Sequence, residues 1–116
     1  MNTQEVYTQL HGSYNDAKSR LMTDKLIEKF LLKFLNDPTY QQLLDAVAAS
    51  NIEESFRAAH TLKGVAANLG FTELQEAASA LTEQLRDRQN TADEQLLAAV
   101  TASYQLVIDT INANKM

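Results

Sequence analysis

A chain of 116 residues is the size of one domain and can bury a single core, and 45% hydrophobic with 22% charged residues is ordinary for a globular protein. Ten basic and fifteen acidic residues, intermixed along the chain, leave a net charge of −5 and no basic block suited to nucleic acid or an anionic membrane. The absence of cysteine excludes disulfides and thiol catalysis and fits a reducing compartment; no apolar run reads as long enough to cross a bilayer, the N-terminus lacks a signal-peptide pattern, and a cytoplasmic protein is expected.

Three glycines and one proline, against abundant alanine, leucine, glutamine and glutamate, favour helices. A short first helix is predicted from Asn2 to Leu10, stopping at Gly12, with residues 13 to 22 as a less regular, partly helical lead-in. Thr23 or Asp24 can cap a helix whose Leu26, Ile27, Phe30, Leu31, Phe34 and Leu35 form a broad apolar stripe. The "NDPT" at 36–39 breaks or kinks that element, with Asp37 suited to cap a new start at Pro38. The continuation carries Tyr40, Leu43, Leu44 and Val47 and ends near residues 49–51.

Asn51 with Glu54, or Ser50 with Glu53, has the spacing of a capping box, and the helix it opens should run to about Asn68 with Gly70 as a left-handed stop. Thr72 with Gln75 gives a second such box, opening a helix with Leu74, Ala77, Ala78, Leu81 and Leu85. After the polar turn "DRQNTAD", a last helix carries Leu96, Leu97, Val100, Tyr104, Val107, Ile108 and Ile111. No strand pattern, repeat or low-complexity segment interrupts the series. Amphipathic helices on short connections bury their stripes against one another, so the expected fold is all-α, an antiparallel four-helix bundle over residues 23–113 with short N-terminal helical additions over 1–22.

The stretch "RAAHTLKGVAANLG", residues 57–70, carries the functional signal. Successive helical residues turn by about 100°, so Ala58, Leu62, Val65 and Leu69 point away from His60, with Ala59 and Ala66 flanking that buried side. Glu53, Phe56, Lys63, Gly64 and Ala67 share the histidine side, which places His60 on the bundle surface. A surface histidine by itself usually does nothing. Gly64 changes the reading, since glycine inside a helix costs roughly 1 kcal/mol relative to alanine. It lies one turn from His60, where a missing side chain opens access to the ring. Lys63 can neutralise an anion beside the imidazole, a phosphoryl group being the obvious one. Phe56, beside an exposed histidine, is either tucked into a neighbouring helix or offered to a partner.

"AHTLKGVAANLG", Ala59 to Gly70, closely resembles the signature of the histidine-containing phosphotransfer (HPt) domain of bacterial multistep phosphorelays. The match takes in the histidine, the Leu-Lys-Gly that follows and the Asn-Leu-Gly ending, and the surrounding helices extend it over most of the chain. The resemblance implies a four-helix bundle whose exposed histidine takes a phosphoryl group from a receiver-domain phosphoaspartate and passes it to another receiver. His60 would then be the phosphorylated nucleophile, attacking through Nε2, and Lys63 its electrostatic support. Phe56, Gly64, Ala67, Glu53 and Arg57 would form the partner-docking surface, with Gly64 giving the receiver clearance. Asn68 matches the motif too, with local stabilisation its expected role. Val65 stands where many members have serine, on the core side of the wheel, so this departure should touch packing more than chemistry.

The implied partners are response-regulator receiver domains and a hybrid sensor histidine kinase. The receiver would bring the aspartate and the Mg2+, since this chain has no phosphate-cradling glycine loop and no metal-site pattern. No cofactor, no ATP-dependent kinase activity of its own and a monomeric state are expected. A start methionine followed at once by the domain suggests a free-standing carrier, although a domain cut from a hybrid kinase would look the same. Two rivals are weighed against this reading. A non-transferring helical module could bind or inhibit a kinase or receiver with the same face, but would not require the nucleophile. A metal-dependent hydrolase is disfavoured because the only other histidine, His11, lies near an N-terminus expected to be flexible and lacks H-E-x-x-H spacing.

Overall fold

The computed structural model describes residues 1–115, and within them every regular element is helical: α1 (Thr3–Gln9), α2 (Tyr14–Leu21), α3 (Asp24–Phe34), α4 (Thr39–Ala48), α5 (Ile52–Leu69), α6 (Thr72–Leu85) and α7 (Glu94–Asn114). Side-chain caps open most of them. Asn2, Ser13, Thr23, Asn51 and Asp93 each accept a hydrogen bond from the backbone N–H three residues on, at 2.9–3.1 Å.

The chain departs from the predicted elements in instructive places. Residues 14–21 form a regular helix, opened by the Ser13 cap with Asp16 in its first turn and Lys18 and Arg20 in its last. Ala17 is its one buried residue, flanked at helical spacing by half-buried Tyr14 and Leu21, a stripe too thin for a periodicity argument to stand on. At the break before α4 it is Pro38 that takes the cap position, and the Asp37 carboxylate accepts the Thr39 N–H at 2.9 Å. Asn51 caps α5, but Glu54 does not return the bond: the Asn51 N–H donates to the Ala46 carbonyl, and Glu54 pairs with Arg57 at 3.2 Å. Phe71, not Thr72, sits at the start of α6 without a side-chain cap; it is buried, and its packing outweighs one hydrogen bond at a helix end.

The four bundle arms are α3–α4, kinked at Pro38, then α5, α6 and α7. Helix α5 packs against α4 on one side and α6 on the other, and α6 packs on α7. The ring closes between the first and last arms, where Tyr40 stacks on Tyr104 at 3.9 Å between centroids and donates from its hydroxyl to Thr101 Oγ1 at 2.9 Å. The core gathers Ile27, Leu31, Leu43, Leu62, Leu74, Leu81, Val100 and Ile111 among others. The expectation that no apolar run is long enough to span a bilayer does not hold for α7, which by length and composition could do so, with a mean hydropathy of 1.2 over 18 residues. Alanine between the larger residues raises that mean. In the fold the helix is amphipathic: Val100, Val107 and Ile111 are buried while Glu94, Gln105, Asp109 and Asn112 are exposed.

The first two helices are integral to the same core. Val6, Tyr7, Leu10 and Ala17 are buried, and the N-terminal segment expected to be flexible closes the C-terminal end of α5. Tyr7 donates its hydroxyl to the Leu69 carbonyl, one of the acceptors a helix end leaves unpaired, and the Ser13 N–H donates to the Gly70 carbonyl at 2.8 Å. Phe71 lies between Tyr7 and Phe34, with centroids at 6.1 and 5.1 Å. His11, in the α1–α2 turn, is held by Glu73 at 3.0 Å.

Candidate functional site

Helix α5 is buried along Ser55, Ala58, Ala59, Leu62, Ala66 and Leu69, which leaves the opposite stripe for solvent. Glu53, Arg57, His60 and Gly64 are exposed; Phe56, Lys63, Val65 and Ala67 are half-buried. Asn51 fixes where the helix starts and Gly70, at φ +74°, fixes where it ends, so the angular position of His60 is set from both ends.

Gly64 has no internal reason to be glycine. A Cβ built on it meets nothing within 4 Å, so the lost helix propensity is offset by no contact inside the chain. The open ground lies one turn from the imidazole.

Around His60 the structure assembles groups from two elements. The Phe56 ring lies against the imidazole, with centroids 6.0 Å apart and planes at 25°. The guanidinium of Arg88, from the turn after α6, lies 3.6 Å from the Phe56 centroid and donates from Nε to Glu53 Oε2 at 3.1 Å. Arg86 approaches the same ring at 5.8 Å and makes two hydrogen bonds to Glu83, at 2.7 and 3.0 Å. That guanidinium, with Lys63 adding attraction at longer range, holds the Glu83 carboxyl below its ordinary range. Glu53, Phe56, Arg57, His60, Thr61 and Arg88 line a shallow hollow of about 220 Å3.

Of the residues singled out from sequence, His60, Phe56, Glu53 and Arg57 thus come together around one hollow, and Gly64 opens the surface one turn along. Lys63 is not part of the hollow; it lies on the α6 side, within electrostatic reach of Glu83. Asn68 and Val65 belong elsewhere, on a larger groove of about 630 Å3 between α2, α3 and α5 that they share with Arg20, Phe30, Lys33 and Asp37. Val65 is half-buried there, not in the core proper. Arg86 and Arg88 escaped sequence reading altogether. Arg88 lies in what reads as a polar turn and Arg86 just before it, and only the folded loop brings them to α5.

Among the described residues no group of three histidine, cysteine or carboxylate side chains is placed to hold a metal ion. The family model described as "Hpt domain" matches residues 32–110, from the end of α3 to the last turns of α7. No curated protein and no solved structure matches the chain.

Proposed function

The chain belongs to the Hpt domain family, and from that premise we propose that His60 accepts a phosphoryl group from a receiver-domain phosphoaspartate and passes it to the aspartate of another receiver. Hpt domains act in His–Asp phosphorelays as phosphocarriers, not kinases, and interact there with receiver domains and kinases. The observation that carries the reading for this chain is an exposed imidazole one helical turn from a glycine whose missing Cβ serves no contact within the protein.

In the forward step the lone pair of Nε2 attacks phosphorus roughly in line with the aspartyl oxygen. The N–P bond forms as the P–O bond breaks, the receiver carboxylate leaves with the electron pair, and the ring keeps its proton on Nδ1. Negative charge on the three equatorial oxygens must be met by cations. The receiver supplies Mg2+ and most of that charge; Lys63, on the neighbouring turn, contributes from this side. Return of the phosphoryl group to a second receiver is the same step reversed. Phe56, Gly64, Ala67, Glu53 and Arg57 form the surface on which the receiver docks. Residues 1–116 act as one domain, without ATP-dependent kinase activity of their own. Monomeric state and cytoplasmic placement belong to the proposal; a core to which all seven helices contribute supports the first.

The test is transfer from a phosphorylated receiver domain to the purified protein beside His60→Gln. Label that is acid-labile and alkali-stable on wild type, and absent from the variant, is the expected result. Label on both proteins would make His60 the wrong residue. No label from several receivers that each phosphorylate another carrier would favour a module that binds without transfer.

A further inference from the structure

An exposed nucleophile needs something to hold its ring, and hydrogen bonds do not hold this one. Among the described residues the one histidine-ring hydrogen bond belongs to His11, and none of them bonds to a ring nitrogen of His60. An imidazole with no partner changes rotamer on the picosecond-to-nanosecond timescale. What lies against it is Phe56, and Phe56 is itself half-exposed and in need of a support.

Arg88 provides that support. Its guanidinium is planar and lies 3.6 Å from the Phe56 ring centroid, a stacking arrangement that an ammonium could not reproduce. Two of its three nitrogens are committed: Nε donates to Glu53 and Nη1 to the Arg86 carbonyl at 2.6 Å. The backbone of Arg88 adopts φ +56°, a left-handed conformation unusual for a residue with a side chain, and its N–H donates to the Leu85 carbonyl at 3.0 Å. The turn after α6 is therefore bent so as to lay this side chain back over α5.

We infer that Arg88 is a positioning residue, pinned by Glu53 and the Arg86 carbonyl, that keeps Phe56 against His60 and so fixes the direction in which the imidazole presents its attacking nitrogen. The inference rests on the phosphotransfer reading for its consequence, and on the stack alone for its mechanism. Two nitrogens hold the guanidinium over the Phe56 ring, and Arg88 acts on the imidazole through that ring. Loss of the pin leaves the nucleophile chemically intact but misdirected for part of the time, which lowers the rate of the step even at saturating receiver.

The experiment compares wild type, Arg88→Ala, Arg88→Lys, Phe56→Ala and the double variant Arg88→Ala/Phe56→Ala. The His60 ring resonances are read by proton–carbon NMR, and single-turnover transfer from a phosphorylated receiver is followed up to saturating receiver. Arg88→Ala should move the His60 resonances toward those of Phe56→Ala and lower the saturating rate by about tenfold, less than the roughly hundredfold cost of a full 1 Å misplacement because the ring is misdirected only part of the time. Arg88→Lys keeps a charge for Glu53 but cannot lie flat, and stays slow. The double variant should be no slower than Phe56→Ala, since both changes break one chain of contacts. Unmoved His60 resonances in Arg88→Ala, rate losses that multiply in the double variant, or a loss visible only below saturation would each overturn the inference, the last making Arg88 a docking contact. If wild type accepts no phosphoryl group at all, the phosphotransfer reading fails, while the resonances still decide whether Arg88 holds His60.

Discussion

The middle of α5 and its C-terminal end each contain a glycine, six residues apart in one motif, and the two are glycines for opposite reasons. Around Gly64 the chain offers empty space: no atom lies within 4 Å of the position a Cβ would take. At Gly70 there is no space at all. A Cβ would lie 2.5 Å from the Ser13 carbonyl and 3.3 Å from Ala17, on a backbone at φ +74°. Gly12, which closes over the same end, would place a Cβ 2.6 Å from the Gly70 carbonyl. One end of the helix is thus sealed by the protein's own N-terminal segment, and the middle is left open to another molecule. A residue type is informative only together with what its side chain would have met.

That contrast is broken most severely at the sealed end. Gly70→Ala places alanine in the left-handed region, at about 1–2 kcal/mol, and drives its Cβ into a backbone carbonyl, which overpacking precedents put at a further ~1–3 kcal/mol. The expected outcome is a large fall in the urea midpoint, with α1 and α2 losing amide protection before the rest. A midpoint within experimental error of wild type would mean that the N-terminal segment does not close on α5.

Tyr7→Phe tests the same seal more gently. It removes the bond to the Leu69 carbonyl and leaves that acceptor buried, for about 1–2 kcal/mol. It also carries a pH signature. Burial pushes the Tyr7 phenol far above its ordinary value near 10. In the unfolded chain the phenol loses its proton as pH rises through 10, whereas in the fold it keeps it, so the stability it contributes is intact below pH 10 and is lost above. Wild type should therefore lose stability between pH 10 and 12 more steeply than Tyr7→Phe. Parallel slopes for the two proteins would place Tyr7 in solvent.

Much of this was readable from local pattern. The outward direction of His60, a cap at Asn51 or Ser50 and the stop at Gly70 follow from spacing within one helix, and spacing within one helix is what a sequence displays. What was not readable depends on partners distant in sequence. Helix α2 fully buries only Ala17, with Tyr14 and Leu21 half-buried beside it, so its stripe is thin. Phe71 displaces Thr72 from the cap position because Tyr7 and Phe34, far along the chain, receive its ring. The N-terminal helices read as an addition because nothing within residues 1–22 names the Leu69 carbonyl as the acceptor of Tyr7. Arg88 lies 35 residues from Glu53 and in a turn whose composition says only that it is polar. The chemistry-bearing residue was legible, and the group inferred to hold it was not.

The smallest expected effect on stability is the one that separates the two glycines most sharply. Gly64→Ala puts a methyl group into open space and removes the conformational freedom of glycine from the unfolded chain, so stability should rise, by up to about 1 kcal/mol. If the open ground exists for a receiver, the same change should weaken transfer, through a higher half-saturating receiver concentration, and Gly64→Leu should weaken it further while remaining folded. The sign of the stability change opposes that of Gly70→Ala, although the substitution is identical. A Gly64→Ala protein that is more stable and transfers as well as wild type would leave the position without a function, and Gly64→Leu would then decide whether anything approaches this face of α5. A less stable Gly64→Ala would mean that the space beside His60 is filled from within the chain, and the case for an approaching partner would lose its main support.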